Sequence, residues 1–309
     1  MQLCWILTED GLTGTENQCL GVAEALGIAP QVKRIKLRQP WKTLSPWLGF
    51  EQNWSFTPSL IPPWPDLLIC GGRKAIAAAR YIKRQSQGKT FTVFLQDPRI
   101  NPAAFDLVAA PAHDPVHGPN VIKTIATPNR ITPDTLAKAK EEFEQFKSMP
   151  APRVAVLIGG NSKAYKITPD ITHNLASQLA SLNTSLMITT SRRTGEQNTQ
   201  ILKNALSSKE NVYFWDGSPP NPYFGMLAWA DYILATADSA SMLSEACTTG
   251  KPVYMIELEG GAPRIKTLHK NLQDRGALKI FNAKLEHWTY EPLNDAQTIA
   301  QEIRKRMKL

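Results

Sequence analysis

No run of 18 or more apolar residues occurs in this chain of 309, so no transmembrane helix is expected. Residues 1–7 (MQLCWIL) are too short and too poor in basic residues for a signal peptide, and read as a first β-strand. Cysteine is scarce. Cys4, Cys19, Cys70 and Cys247 lie far apart with no CxxC pair, which argues against a zinc site or a disulfide framework and for a reducing cytoplasm. The GxGxxG of dinucleotide folds and the GxxxxGK[ST] of P-loops are both missing, so NAD binding and ATP hydrolysis are disfavoured. No recognised nucleic-acid motif is present, and no nucleic-acid partner is expected. His113 and His117 stand among Pro111, Pro115 and Pro119. Those prolines preclude a regular helix, so helical ligand spacing does not apply and no metal is assigned.

Acidic charge is also under-represented. The net charge is +8, of which residues 1–132 supply +5. The excess is densest at Lys33, Arg34, Lys36, Arg38 and Lys42, with no acid between Glu24 and Glu51. Such a field favours an anionic partner. The stretch from Trp41 to Trp64 follows directly and carries Trp47, Phe50, Trp54 and Phe56 as well. Rings beside Lys and Arg suit an anionic membrane surface, and equally suit a small core beneath a long loop.

What is present in quantity is alternation. Strand-like runs at 3–7, 31–35, 67–70, 91–95, 107–109 and 121–124 interleave with helical periods at 16–26, 74–85 and 135–147. The last of these is charged and ends at a Pro-rich break (MPAP, 149–152). The pattern then restarts. Strands are expected at 153–158, 185–189, 212–215, 232–235 and 252–256, and helices at 168–182, 196–206, 223–230, after Ser239, and 295–307. This predicts an α/β protein of two Rossmann-like domains facing a cleft. The domains are 1–132 and 153–294, with a linker at 133–152 and a closing helix at 295–309.

In open α/β sheets ligands bind beyond the C-terminal strand ends, so the post-strand loops carry the candidate sites. The stretch TADSASMLSEACTTGKP (236–252) opens a helix behind an apolar strand. Its N-terminus, with Asp238, Ser239, Ser241 and Met242, could hold a diphosphate, and Glu245 is placed to accept from ribose hydroxyls. The equally simple alternative is a capped helix in an ordinary strand–helix–strand unit. Gly159, Gly160, Asn161, Ser162 and Lys163 offer successive amides and a cation to an anion, or form a tight turn. Ser191, Arg192 and Arg193 could grip the same diphosphate, or form a solvated basic turn. Asn221, Tyr223 and Phe224 sit in a proline-fixed loop beside them. On the acceptor side, Asp10 and Glu16 are candidate general bases, although Glu16 could simply cap its helix. Gly14, Arg73, Gln96, Asp97 and Arg99 occupy equivalent post-strand positions in the first half.

Blocks in order along the chain carry a family likeness: GTENQCLG (14–21), QDPR (96–99), GPNV (118–121), IGGNSK (158–163), TTSRRTG (189–195), NPYFG (221–225) and 236–260. In these the chain resembles the mitochondrial fission family of the "elongated mitochondria" type, found in bacteria and plants. The segment 239–252 is also similar to the donor-nucleotide segment of GT-B glycosyltransferases, notably the enzyme that adds N-acetylglucosamine to the peptidoglycan lipid intermediate. That resemblance implies that Glu245 holds the donor ribose and that the loop at Gly159–Ser162 lies near the diphosphate. Retaining members often carry a glutamate eight residues earlier, and here that position is Ala237, which implies inversion. The glycine-rich first loop of that enzyme carries a histidine, whereas this chain has Gly14-Thr15, so the base is not implied by the likeness. The expected activity is metal-independent, cofactor-free transfer from a nucleotide sugar to a lipid-linked or envelope acceptor. It is expected in the cytoplasm, peripheral to the inner face of the membrane. A non-catalytic scaffold of the same fold and a sugar-nucleotide epimerase are the alternatives.

Overall fold

The computed structural model describes residues 3–309; Met1 and Gln2, placed above at the head of the first strand, lie outside the described residues. The chain divides into two compact units. One takes the residues up to Arg130 together with Asn294–Leu309, and the other takes Ile131–Leu293.

The first unit is built on seven strands: β1 (Cys4–Glu9), β2 (Gln31–Leu37), β3 (Phe56–Thr57), β4 (Leu67–Gly71), β5 (Phe91–Leu95), β6 (Leu107–Pro111) and β7 (Val121–Thr124). Their order is β3-β2-β1-β4-β5-β6-β7, and every pair is parallel except β2–β3. Both faces of the sheet are covered, which is why β1 and β4 read as unbroken apolar runs. Trp5 and Leu7 face Ile35 and the helix α3 (Ala75–Gln85). Cys4 and Ile6 face α1 (Thr13–Ala25) and, from the far end of the chain, α10 (Asp295–Met307), which contributes Ile299 and Ile303. Asp295 fixes α10 at the end of β7 by accepting from the amides of Ile125 (2.8 Å) and Ala126 (3.0 Å). Between β2 and β3 lies the short helix α2 (Trp41–Leu44).

The second unit has a six-stranded sheet of β8 (Arg153–Ile158), β10 (Ser185–Thr190), β11 (Val212–Phe214), β12 (Tyr232–Thr236), β13 (Val253–Ile256) and β15 (Leu278–Ile280). The order β11-β10-β8-β12-β13-β15, parallel throughout, is that of a doubly wound fold. A ribbon of β9 (Tyr165–Lys166) and β14 (Glu259–Gly260) pairs antiparallel above it. The helices are α4 (Pro133–Glu142), α5 (Pro169–Ser181), α6 (Glu196–Leu206), α7 (Tyr223–Trp229), α8 (Ala240–Thr248) and α9 (Pro263–Asp274). Among the described residues no helix is long and apolar enough to cross a membrane.

Two helices of the second unit differ from expectation. The helix expected over 135–147 begins at Pro133, capped by Thr132 and Thr135, and ends at Glu142. A 3-10 turn, Glu144–Ser148, replaces its last part, because Phe143 and Phe146 must both turn inward. This segment packs on α7 within the second unit. Helix α9 stands where no element was expected, although Ile265, Leu268 and Leu272 follow helical spacing behind Pro263.

Candidate functional site

In the second sheet the chain leaves β8 and β12 in opposite directions, so a crevice opens where their C-terminal ends lie side by side. Two glycines close that crevice from the β8 side. Gly159 N–H donates to Thr236 Oγ1 (2.8 Å) and Gly160 N–H to Asp238 Oδ2 (3.1 Å). A Cβ at Gly159 would overlap the Asp238 carboxylate, and one at Gly160 the Arg193 carbonyl, so close approach demands glycine at both. Asp238 also accepts from Thr236 Oγ1 (2.7 Å) and pairs with Arg193 Nη1 (2.7 Å), its side chain wholly buried. Ser191 Oγ and Thr194 Oγ1 donate to the Gly159 carbonyl at 2.9 and 2.5 Å. Asn161 and Ser162, though exposed, accept from the amides of Ile167 and Tyr165 at 3.0 Å each.

Five of the residues assigned above to a diphosphate, Gly159, Gly160, Ser191, Arg193 and Asp238, thus bind one another. The physical reason is Asp238, an internal anion at the mouth of α8 that engages the amide and the arginine a phosphate would use. Lys163 and Arg192 remain exposed at the same strand ends, with no ion-pair partner among the described residues.

Glu245 stands one turn into α8, whose first turn is capped by Ser239 Oγ accepting from Met242 N–H (3.3 Å) and includes the half-buried Ser241. It is half-buried and accepts from Tyr223 Oη at 2.6 Å. Burial pushes the Glu245 carboxyl up to about 7, against the opposing pull of the Tyr223 hydrogen bond. Burial, then the Glu245 charge, holds the Tyr223 phenol well above its ordinary range. Tyr223 opens α7, where Asn221 Oδ1 accepts from its amide (3.0 Å), and its ring lies 6.0 Å from that of Phe224. The other end of α7 is held by Lys251, whose Nζ donates to the carbonyls of Leu227 and Ala228 (2.7 Å each). Burial lowers the Lys251 ammonium to about 8, Lys140 adds to the effect and Asp231 opposes it.

A cavity of about 310 Å³ adjoins the loop after β12, lined by Tyr165, Ala237, Glu257, Lys266, His269 and Gln273 among others. His269 is buried, with Nε2 2.9 Å from the Ala237 carbonyl. A carbonyl only accepts, so Nε2 carries the proton. Burial lowers the pKa of the ring, with the Ala237 bond opposing, and the ring is neutral at pH 7. Lys266, His269 and Gln273 were missed in the sequence; the helical period of α9, which places His269 beside buried Leu268 and Leu272, is the signal that finds them.

In the first unit, Glu16 is gripped at both oxygens by Arg34 (Nε and Nη2, 2.6 Å each). Asp10 pairs more loosely with Lys36 (3.1 Å) and is half exposed, while Glu9 pairs with Lys74. Gly14 lies in the first turn of α1, and the exposed Arg73 gives its carbonyl to Ser45 Oγ (3.1 Å). After β5, Gln96 Nε2 donates to Gln18 Oε1 (3.1 Å), the Asp97 amide donates to Asp114 Oδ2 (3.1 Å), and Asp97 Oδ1 accepts from Arg99 N–H (2.8 Å). Gln96 and Arg99 hold φ of 88° and 55°. Left-handed backbone at two non-glycine residues in four is strain that the hydrogen bonds around it must support.

The two Rossmann-like units and their post-strand loops define a GT-B-type α/β protein. Solved structures agree. UDP-GlcNAc 2-epimerase of Neisseria meningitidis bound to UDP-GlcNAc superposes with a TM-score of 0.51 at 13% identity, over 98% of this chain and 100% of that one. MurG of Acinetobacter baumannii gives 0.50 at 15% identity, over 99% and 90%. The chain belongs to the Mitochondrial fission ELM1 family, whose model matches residues 13–307. It is 28% identical to the mitochondrial fission protein ELM1 of Arabidopsis thaliana, over 98% of this chain and 90% of that protein.

Proposed function

We propose that the second unit binds a nucleoside diphosphate sugar and that the protein transfers its glycosyl group, with inversion, to a lipid-linked or envelope hydroxyl. The observation that carries this reading is Glu245, a half-buried carboxylate one turn into the helix behind the crevice strand, already oriented by a hydroxyl donor. A ribose diol supplies two such donors. Lys163 and Arg192 then neutralise charge developing on the diphosphate, and the cavity at Glu257, His269 and Gln273 takes the glycosyl group. As the bond from the anomeric carbon to the diphosphate breaks, its electrons leave with the diphosphate. The acceptor oxygen bonds to that carbon and gives its proton to a carboxylate. Asp10 is the freer candidate, because Arg34 engages both oxygens of Glu16. Lysine and arginine carry the charge, so the reading calls for no metal.

A non-catalytic scaffold is the second reading, and Asp238 favours it by engaging Arg193 and the Gly160 amide. Calorimetric titration with UDP, GDP, CDP and ADP separates the two. Binding of one of them, weakened about tenfold or more by Glu245→Ala, supports transfer. Silence from all four leaves the scaffold.

A further inference from the structure

Of the eight large apolar side chains most exposed among the described residues, five fall within residues 44–61: Leu44, Trp47, Phe50, Trp54 and Ile61. The aromatic stretch is thereby sorted. Trp41, Phe56 and Trp64 turn inward, with Trp64 packed edge-on to Trp5 and Tyr81. Trp47, Phe50 and Trp54 turn outward at 68%, 86% and 56% exposure.

The outward set is held rigidly. Glu51, 1% exposed, is bound by Arg80 and lies 3.7 Å from Arg84, both from α3. Arg80 Nη2 also donates to the Leu48 carbonyl (2.7 Å), and Arg84 to that of Glu51. Trp41 Nε1 donates to the Gly49 carbonyl (3.1 Å) and its ring stands edge-on to Trp54 at 4.8 Å. Phe50 sits at the tip with φ of 60°, an uncommon backbone for a bulky residue. A chain folding for its own stability would have little reason to clamp its most exposed phenylalanine in that conformation.

Charge around the tip is of one sign. Between Glu24 and Asp66 the sole acid is Glu51, which is buried and paired. Arg34 and Lys36 are matched by Glu16 and Asp10. Arg38 and Lys42 are exposed with no carboxylate partner among the described residues, and the Lys42 amide bonds back to the Arg38 carbonyl beside the Trp41–Trp54 pair.

We infer that residues 44–61 form a preformed dock for an anionic lipid bilayer, in which Trp47, Phe50 and Trp54 enter the headgroup region while Arg38 and Lys42 meet lipid phosphates. Protein partners bring carboxylates of their own in patterns, and nothing around this tip is patterned; it offers three exposed rings and positive charge beside them, which is what an interface of lipid headgroups matches. The inference stands apart from the nucleotide reading, since it uses none of that site's residues.

The test is co-sedimentation of the full chain with phosphatidylcholine vesicles, with and without phosphatidylglycerol. Binding is expected to the anionic vesicles and to fall with salt. Phe50→Gly should weaken it about tenfold, and it keeps the fold because glycine accepts that φ without strain. Arg38→Gln with Lys42→Gln should flatten the salt dependence. Nucleotide binding should be untouched in every variant. The inference is overturned if Phe50→Gly sediments as the parent does, or if binding ignores phosphatidylglycerol. It is likewise overturned if Phe50→Gly changes only the oligomeric mass in light scattering, which would make the tip a contact between copies of the chain.

Discussion

Burial sets the Glu245 carboxyl near neutrality, which couples folding to pH. Its folded pKa of about 7 lies above the ordinary carboxylate value, so the folded empty protein holds the proton more tightly than the unfolded chain. Stability from this group is full below the unfolded pKa and is lost as pH rises through about 7. The Tm of the ligand-free protein should therefore fall between pH 5 and 8 by a component that Glu245→Gln removes. Nucleotide affinity should move the other way, rising as the carboxylate forms; equal slopes in parent and Glu245→Gln would refute the assignment. At Asp238 the expectation is structural. Asp238→Ala leaves the Gly160 amide and the Thr236 hydroxyl unpaired and should cost about 2 kcal/mol in urea unfolding, little of it from the half-exposed and screened Arg193. These two residues mark what sequence can and cannot disclose. Glu245 was legible because its place in a helix follows from the motif's spacing. The role of Asp238 was not, because its partners Gly160 and Arg193 lie 78 and 45 positions away and meet it only through β-sheet order.

Elements were more legible than contacts. Apart from β3 and β15, the strands of both sheets followed from apolar runs between turn residues, since a strand covered on both faces has little freedom in composition. Short edge pieces such as β3, β9 and β14 were not, as two residues leave no period to read. The end of α4 failed for a different reason. Its charged pattern continues past Glu142, yet Phe143 packs against α7 so closely that a Cβ on Gly225 would sit 2.6 Å from the Phe143 ring. Gly225→Ala should consequently destabilise the second unit by roughly 1–3 kcal/mol. Adding Phe143→Ala should recover part of that loss, and strictly additive costs in chemical denaturation would show that the two do not meet.

At the scale of the whole molecule, both Rossmann-like units were expected, and so was the closing helix, though not the unit it completes. α10 belongs to the first unit, where Ile299, Ala300 and Ile303 are wholly buried beside α1 and Asp295 ties the end of β7. Two buried isoleucines and these hydrogen bonds amount to about 5 kcal/mol, comparable with the net stability of a domain. A chain stopped before Asn294 should thus lose the protection of first-unit amides in hydrogen exchange while the second unit keeps its own; protection of β1 unchanged by truncation would contradict this. The same return of the chain has a bearing on synthesis. On the ribosome the first 130 residues emerge early, but the helix that covers Val22 and Leu26 follows only after the entire second unit has been made. The first unit then waits with an apolar face uncovered, and its dependence on chaperones during translation should be greater than that of the unit made after it.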